Sequence, residues 1–228
     1  MSCDRSVFTL ECERKKIDRR VILLLRHGDS RQDHLKRYVG HTDTLLNERG
    51  RAQAESLRQE VMGIPFAGFF CSTLRRSQET ARIIAEKRAV AVIPVPEFCE
   101  ISMGLWDGRS MEEVRRSFPE EYRRRGEDPA LHAAPGGESF VDLQKRVIPA
   151  FDEILHEGEG PILIVGHAGV NRVLLTHFLG MPLGNLFRLG QDYACLNVIV
   201  SEKGLFRVHA MNLTTLAGCN AALFSESR

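Results

Sequence analysis

An α/β fold is what this sequence predicts, built as a three-layer α/β/α sandwich around a mostly parallel six-stranded sheet with an antiparallel edge strand. Three observations carry that expectation. Short apolar runs alternate with longer amphipathic ones along the chain, the pattern of strands separated by helices. The early runs are apolar at every position, as in strands covered on both faces. The last two runs are joined by the short segment "SEKG", which reads as a hairpin and places an antiparallel pair at one edge.

The series opens with "VILLL" at 21–25, and further strands are predicted over 67–72, 90–95, 161–166, 193–200 and 205–211. Amphipathic stretches predict helices over 47–62, 74–88, 110–125, 138–157 and 169–180. Asn47 is placed to cap the first helix, and Ser72 or Thr73 the second. Pro149 lies inside the fourth and predicts a kink or a break, because it lacks a donor and crowds the preceding turn. Intervening helices imply right-handed crossovers between parallel strands. Residues 1–20 read as a flexible N-terminal extension, leaving 21–228 as a single domain.

Composition narrows the function classes. The 228 residues are 43% hydrophobic and 27% charged, enough for one substantial core without staples. A net charge of +1 supplies no global field toward nucleic acid or an anionic membrane surface. The first twenty residues lack the apolar stretch of a signal peptide or spanning helix. Asp4, Glu11, Glu13 and Asp18 argue against a transit sequence. Six cysteines lie far apart with no metal-like spacing, so reduced thiols and a cytoplasmic protein are expected. The oligomeric state is left open, a homodimer being one option.

In open α/β sheets, ligands bind beyond the carboxyl ends of the strands. There the sequence reads Arg26-His27-Gly28 after the first strand, Ser72 to Arg76 after the second, Glu100 shortly after the third and Gly166-His167-Ala168 after the fourth. Guanidinium forks match phosphate oxygens, and a helix start adds backbone donors. Two arginines and two histidines on one rim therefore suggest a dianionic phosphate. A neutral imidazole is a competent nucleophile toward phosphorus when a carbonyl holds its other nitrogen. Gly28 lets the backbone approach closely enough to supply that carbonyl. Flanking cations favour the neutral ring, and a carboxylic acid across the site could protonate the departing alkoxide.

These residues sit in four ordered segments, "LLRHGDS", "STLRRSQETA", "CEISMGLWDGR" and "ILIVGHAGVNR". Together they resemble the motifs of the histidine phosphatase superfamily, also described as phosphoglycerate-mutase-like, over roughly residues 20–200. The resemblance implies that fold, with a small cap region at about 101–137. It implies His27 as the nucleophile and Glu100 as the general acid. Arg26, Arg76 and His167 would hold the phosphoryl group, with His167 also stabilising the transition state. Gly28, Ser30 and the backbone of Ala168 join the substrate-binding set, and Arg76 is selected over Arg75. No metal or cofactor is called for, since the arginines supply the positive charge.

One position departs from the family pattern: Asp33 stands where many members carry Asn, so it is left out of the site. Arg123, Arg124 and Arg125 lie in the cap region, where one could meet an extended acidic substrate. Tyr38 and His41 are candidates for the substrate entrance, and Trp106 for packing beneath it. The expected activity is a metal-independent phosphomonoesterase working through phosphohistidine on a small phosphorylated metabolite, such as α-ribazole phosphate or a sugar or glycerate phosphate. The alternatives are a cofactor-dependent phosphoglycerate mutase and a catalytically silent phosphoryl-binding protein. The "MGLWDGR" turn and the short cap resemble the phosphatase branch, including α-ribazole phosphate phosphatases. Neither nucleic acid nor membrane is an expected partner.

Overall fold

The computed structural model describes residues 19–217, 219, 223 and 224, so most of the proposed N-terminal extension lies outside it. Six strands form one sheet: β1 (Arg19–Arg26), β2 (Gly68–Cys71), β3 (Val92–Pro94), β4 (Ile162–Gly166), β5 (Leu196–Glu202) and β6 (Leu205–Leu213). Their order is β3-β2-β4-β1-β5-β6. The β1–β4, β2–β4 and β2–β3 pairings are parallel, whereas β5 runs antiparallel to both β1 and β6. The β5–β6 connection turns on Lys203 and Gly204, both at positive φ (50° and 82°), which suits the right-handed twist of a tight hairpin.

The all-apolar strands are buried on both faces, as predicted. Ile22, Leu24, Ile162, Ile164 and Phe70 pack on one side with helices α5 (Phe140–Ile154) and α6 (Ala168–Phe178). Leu23, Leu25, Leu163, Val165 and Phe69 pack on the other with α1 (Glu48–Glu60) and α2 (Arg75–Ala85). Alternate residues of each strand thus feed two separate cores, and the sandwich has three layers.

Several boundaries differ from expectation for local reasons. β1 begins at Arg19, two residues early, because Arg19 and Arg20 pair with Glu202 and Ser201 of β5. Asn47 caps α1, its side chain accepting from the Gly50 N–H at 2.8 Å. The start of α2 has Leu74 as its N-cap with no side-chain bond, so neither Ser72 nor Thr73 caps it. The stretch expected as one helix over 110–125 is two, α3 (Met111–Ser117) and α4 (Pro119–Glu127). Pro119 forces Phe118 out of helical geometry and is itself suited to a first helical turn. Pro149 does not break α5: it lies on the exposed face, and the helix continues through it from Phe140 to Ile154.

Candidate functional site

The carboxyl end of β1 delivers Arg26 and His27 to the rim. His27 is buried, and its Nδ1 lies 2.7 Å from the carbonyl oxygen of Gly28. A carbonyl only accepts, so Nδ1 carries the proton and Nε2 keeps its lone pair. The close fold-back requires glycine, because a Cβ on Gly28 would lie 2.5 Å from the Gly50 carbonyl oxygen. The Gly28 amide donates to Thr80 Oγ1 at 3.1 Å. Arg26 donates through Nη1 to the Gln191 carbonyl at 2.6 Å, and its guanidinium stacks 3.8 Å above the Tyr193 ring.

The carboxyl end of β4 brings His167 beside His27, with ring centroids 5.0 Å apart. His167 is fully buried and is the N-cap residue of α6, a helix start with no side-chain cap. Ala168 begins that helix, so its first N–H groups face the same rim. Ser72 Oγ lies 2.6 Å from His167 Nε2. Arg76, on the first turn of α2, is 1% exposed, whereas Arg75 points to solvent.

Two carbonyls aim Arg76: Thr42 accepts from Nη1 at 2.8 Å and Gly40 accepts from Nη2 at 2.7 Å. The loop carrying them is itself pinned by Asp107. Its carboxylate accepts from the amides of Gly40, His41 and Thr42, each at 2.9 Å. His41 in turn bonds the Glu100 carbonyl at 2.9 Å through Nε2.

Glu100 follows the 3-10 turn Pro96–Phe98 after β3. Its carboxylate accepts from the Ile101 amide at 2.9 Å and the Gly169 amide at 3.1 Å. A side chain at position 169 would collide with that carboxylate. Glu100 opens onto a cavity of about 400 Å³ lined also by Tyr38, Trp106, Arg125, Phe140, Ala168 and Arg172. Trp106 is buried against Tyr38, Phe118 and Tyr122. Ser30 is buried in a neighbouring groove with Arg31 and Tyr193. Asp33 is exposed and ion-paired to Arg37 at 2.7 Å, so its charge is compensated there.

Burial, then Arg76, then Arg26 push the His27 pKa well below its usual value. The same three causes, in the same order with His27 between the arginines, act on His167. Both rings are therefore neutral at pH 7. His167 Nδ1 and Arg26 Nε are buried without a hydrogen-bond partner, and such polar atoms are costly to leave unpaired. Two guanidiniums, an imidazole and a helix start converging on one lone pair suit a tetrahedral oxyanion. Among the described residues, no group of three or more His, Cys, Asp or Glu is arranged to hold a metal ion.

Gln191, Tyr193 and Asp107 escaped the sequence reading. The residues preceding antiparallel β5 lie on the same rim as those following the parallel strands. Gln191 and Tyr193 lead into β5. Asp107 stood inside the "GLWDG" segment, and its row of three neighbouring amides was not visible from spacing.

The chain is similar to several known proteins. Phosphoserine phosphatase 1 of Hydrogenobacter thermophilus is 32% identical over 198 residues, covering 86% of this chain and 94% of that protein. The adenosylcobalamin/alpha-ribazole phosphatase of Escherichia coli is 31% identical over 202 residues, covering 87% and 98%. Among solved structures, the alpha-ribazole phosphatase from Shigella flexneri matches with a TM-score of 0.79 at 29% identity, covering 86% of this chain and 97% of that one. A mycobacterial glucosyl-3-phosphoglycerate phosphatase complexed with VO3 matches with a TM-score of 0.77 at 27% identity, covering 85% and 98%. With its family model matching residues 22–214, the chain belongs to the histidine phosphatase superfamily (branch 1).

Proposed function

We propose that this chain hydrolyses phosphate monoesters of small metabolites, passing the phosphoryl group through His27. In the first half-reaction, Nε2 of His27 attacks phosphorus in line with the ester bond. The P–O bond to the leaving alcohol breaks, and Glu100 gives its proton to that oxygen. In the second, water attacks the phosphohistidine and yields its proton to the Glu100 carboxylate. The P–N bond breaks, inorganic phosphate leaves, and His27 returns to a neutral imidazole. Arg26, Arg76, His167 and the Ala168 N–H at the start of α6 hold the non-bridging oxygens. Phosphate monoesters require barrier lowering of order 20 kcal/mol or more, most of it here from positioning and charge matching.

The observation that carries this reading is the Gly28 carbonyl at His27 Nδ1, which leaves Nε2 bare among two guanidiniums and a second imidazole. The relatives' names share phosphoester hydrolysis while their leaving groups differ, which supports the phosphoryl chemistry as the common part. We place the activity in the cytoplasm, a reading supported by the free thiols at Cys71, Cys99, Cys195 and Cys219; Cys3 and Cys12 lie outside the described residues.

Quenched labelling with a phosphorylated substrate tests the proposal. Wild-type protein is expected to carry an acid-labile, base-stable label that is missing from His27→Ala. Label persisting in His27→Ala refutes the mechanism. Glu100→Gln should slow alkyl phosphates by about 10²- to 10⁴-fold and an aryl phosphate less, since a phenolate leaves without a proton. With 3-phosphoglycerate as substrate, free phosphate should exceed isomerised product; the reverse makes the chain a mutase.

A further inference from the structure

The loop that carries Glu100 has no strand or helix of its own to hold it. It lies between the 3-10 turns Pro96–Phe98 and Gly104–Trp106, and backbone groups outside a ladder need other partners. One side chain of α5 supplies three of them. Arg146 donates through Nη1 to the carbonyls of Glu97 and Cys99, the latter at 2.9 Å, and through Nη2 to the Glu100 carbonyl at 3.1 Å. Glu138 fills the other side of the same fork: Oε1 accepts from Nε and Oε2 from Nη2, each at 2.8 Å. All five guanidinium N–H groups are thereby used, with directions set by the guanidinium plane.

Glu138 stands just ahead of Ser139, the N-cap of α5. Its Oε2 also accepts from the Ser102 amide at 2.8 Å, and its own amide donates to the Ser102 carbonyl at 2.9 Å. The pair therefore grips the loop on both sides of the acid, through Arg146 up to residue 100 and through Glu138 at residue 102. The rest of the rim is held elsewhere. His27 bonds the Gly28 carbonyl, His167 bonds Ser72, and the loop that aims Arg76 is pinned by Asp107. An acid must sit within hydrogen-bond reach of the oxygen it protonates, and a misplacement of about 1 Å can cost about 10²-fold in rate. We propose that Arg146, anchored by Glu138, is a positioning residue for the general acid: it fixes the backbone from which the Glu100 carboxylate reaches the leaving oxygen. This role rests on the phosphomonoesterase reading above and adds to it residues that touch neither phosphate nor leaving group.

The test uses the leaving group. Benzyl alcohol departs poorly without a proton, whereas p-nitrophenolate needs none, and the two esters are similar in size. The quantity read is kcat/KM, which reports the steps up to departure of the alcohol and is blind to later hydrolysis of the phosphohistidine. In Arg146→Gln of the purified full chain, kcat/KM for benzyl phosphate should fall about 10- to 10²-fold. That for p-nitrophenyl phosphate should stay near the wild-type value. Arg146→Lys keeps the charge and loses the fork; it should shift the ratio in the same direction, and it keeps the test available if Arg146→Gln fails to fold. A merely structural role depresses both esters alike, so hydrolysis through phosphoenzyme with an unmoved ratio overturns the positioning role alone. In a Glu100→Gln background, where no acid remains to be placed, Arg146→Gln should leave the ratio unchanged; a further fall there also overturns the proposal. A wild type that cleaves only p-nitrophenyl phosphate has no working acid, with the same consequence. If wild type cleaves neither ester, the hydrolase reading fails and the positioning role falls with it.

Discussion

His27 illustrates how much of the site is set by single atoms. Its ring is buried between cations, and this holds it neutral at a pH where an exposed imidazole begins to charge. His167 lies under the same influences. In the unfolded chain both rings return to an ordinary value near 6.5. Between that value and the lower folded one, the unfolded state binds more protons. The stability they contribute is therefore complete above about pH 6.5 and is lost as pH falls toward the folded values, with a limiting slope of about 1.4 kcal/mol per imidazole per pH unit. Urea unfolding in phosphate-free buffer checks the sign: from pH 7.5 to 5.5, wild type should lose more stability than a His27→Gln, His167→Gln double variant. Equal losses would contradict depressed values. Neither contribution follows from the local sequence, because Arg76 and His167 are far from His27 along the chain and adjacent to it in space.

At the scale of elements, the loop carrying Gly40 and Thr42 acts as a bracket between Asp107 and Arg76. Three amides face the carboxylate on one side, and two carbonyls face the guanidinium on the other. Removing the carboxylate frees the amides and lets the carbonyls drift, so Asp107→Ala should destabilise the protein by about 2 kcal/mol. It should also weaken vanadate binding, a readout that simple destabilisation would not move once the protein is folded. Asp107→Asn, which keeps an acceptor, should recover part of both. The broken helix at Phe118–Pro119 works at this scale too. It sends α4 off in a new direction, with Arg125 buried and Arg123 and Arg124 exposed. The three consecutive arginines are equivalent to a composition-based reading; only the helix path separates them.

For the whole molecule, one sheet with a core on each face holds the rim residues in register. Leu24 feeds one core and Leu23 the other, and both are fully buried. Leu24→Ala should cost roughly 2–5 kcal/mol, checked by chemical denaturation, and should lower the unfolding midpoint of the single sheet as a unit. The α/β class, the parallel strands, the β5–β6 hairpin and the placing of Arg26, His27, Arg76, Glu100 and His167 at strand ends were legible by themselves, because burial on both faces and strand polarity leave a direct mark on residue order. The tertiary structure alone decided the rest. It decided that Ser72 meets His167 instead of capping α2, that the segment before antiparallel β5 reaches the rim under Arg26, that Asp33 is neutralised by Arg37, and that Arg125 and Arg172 face one cavity. Each of these joins segments distant in sequence or depends on which way a side chain leaves its element. A linear pattern records which residues are buried, but a contact between two such segments exists only once the chain has packed.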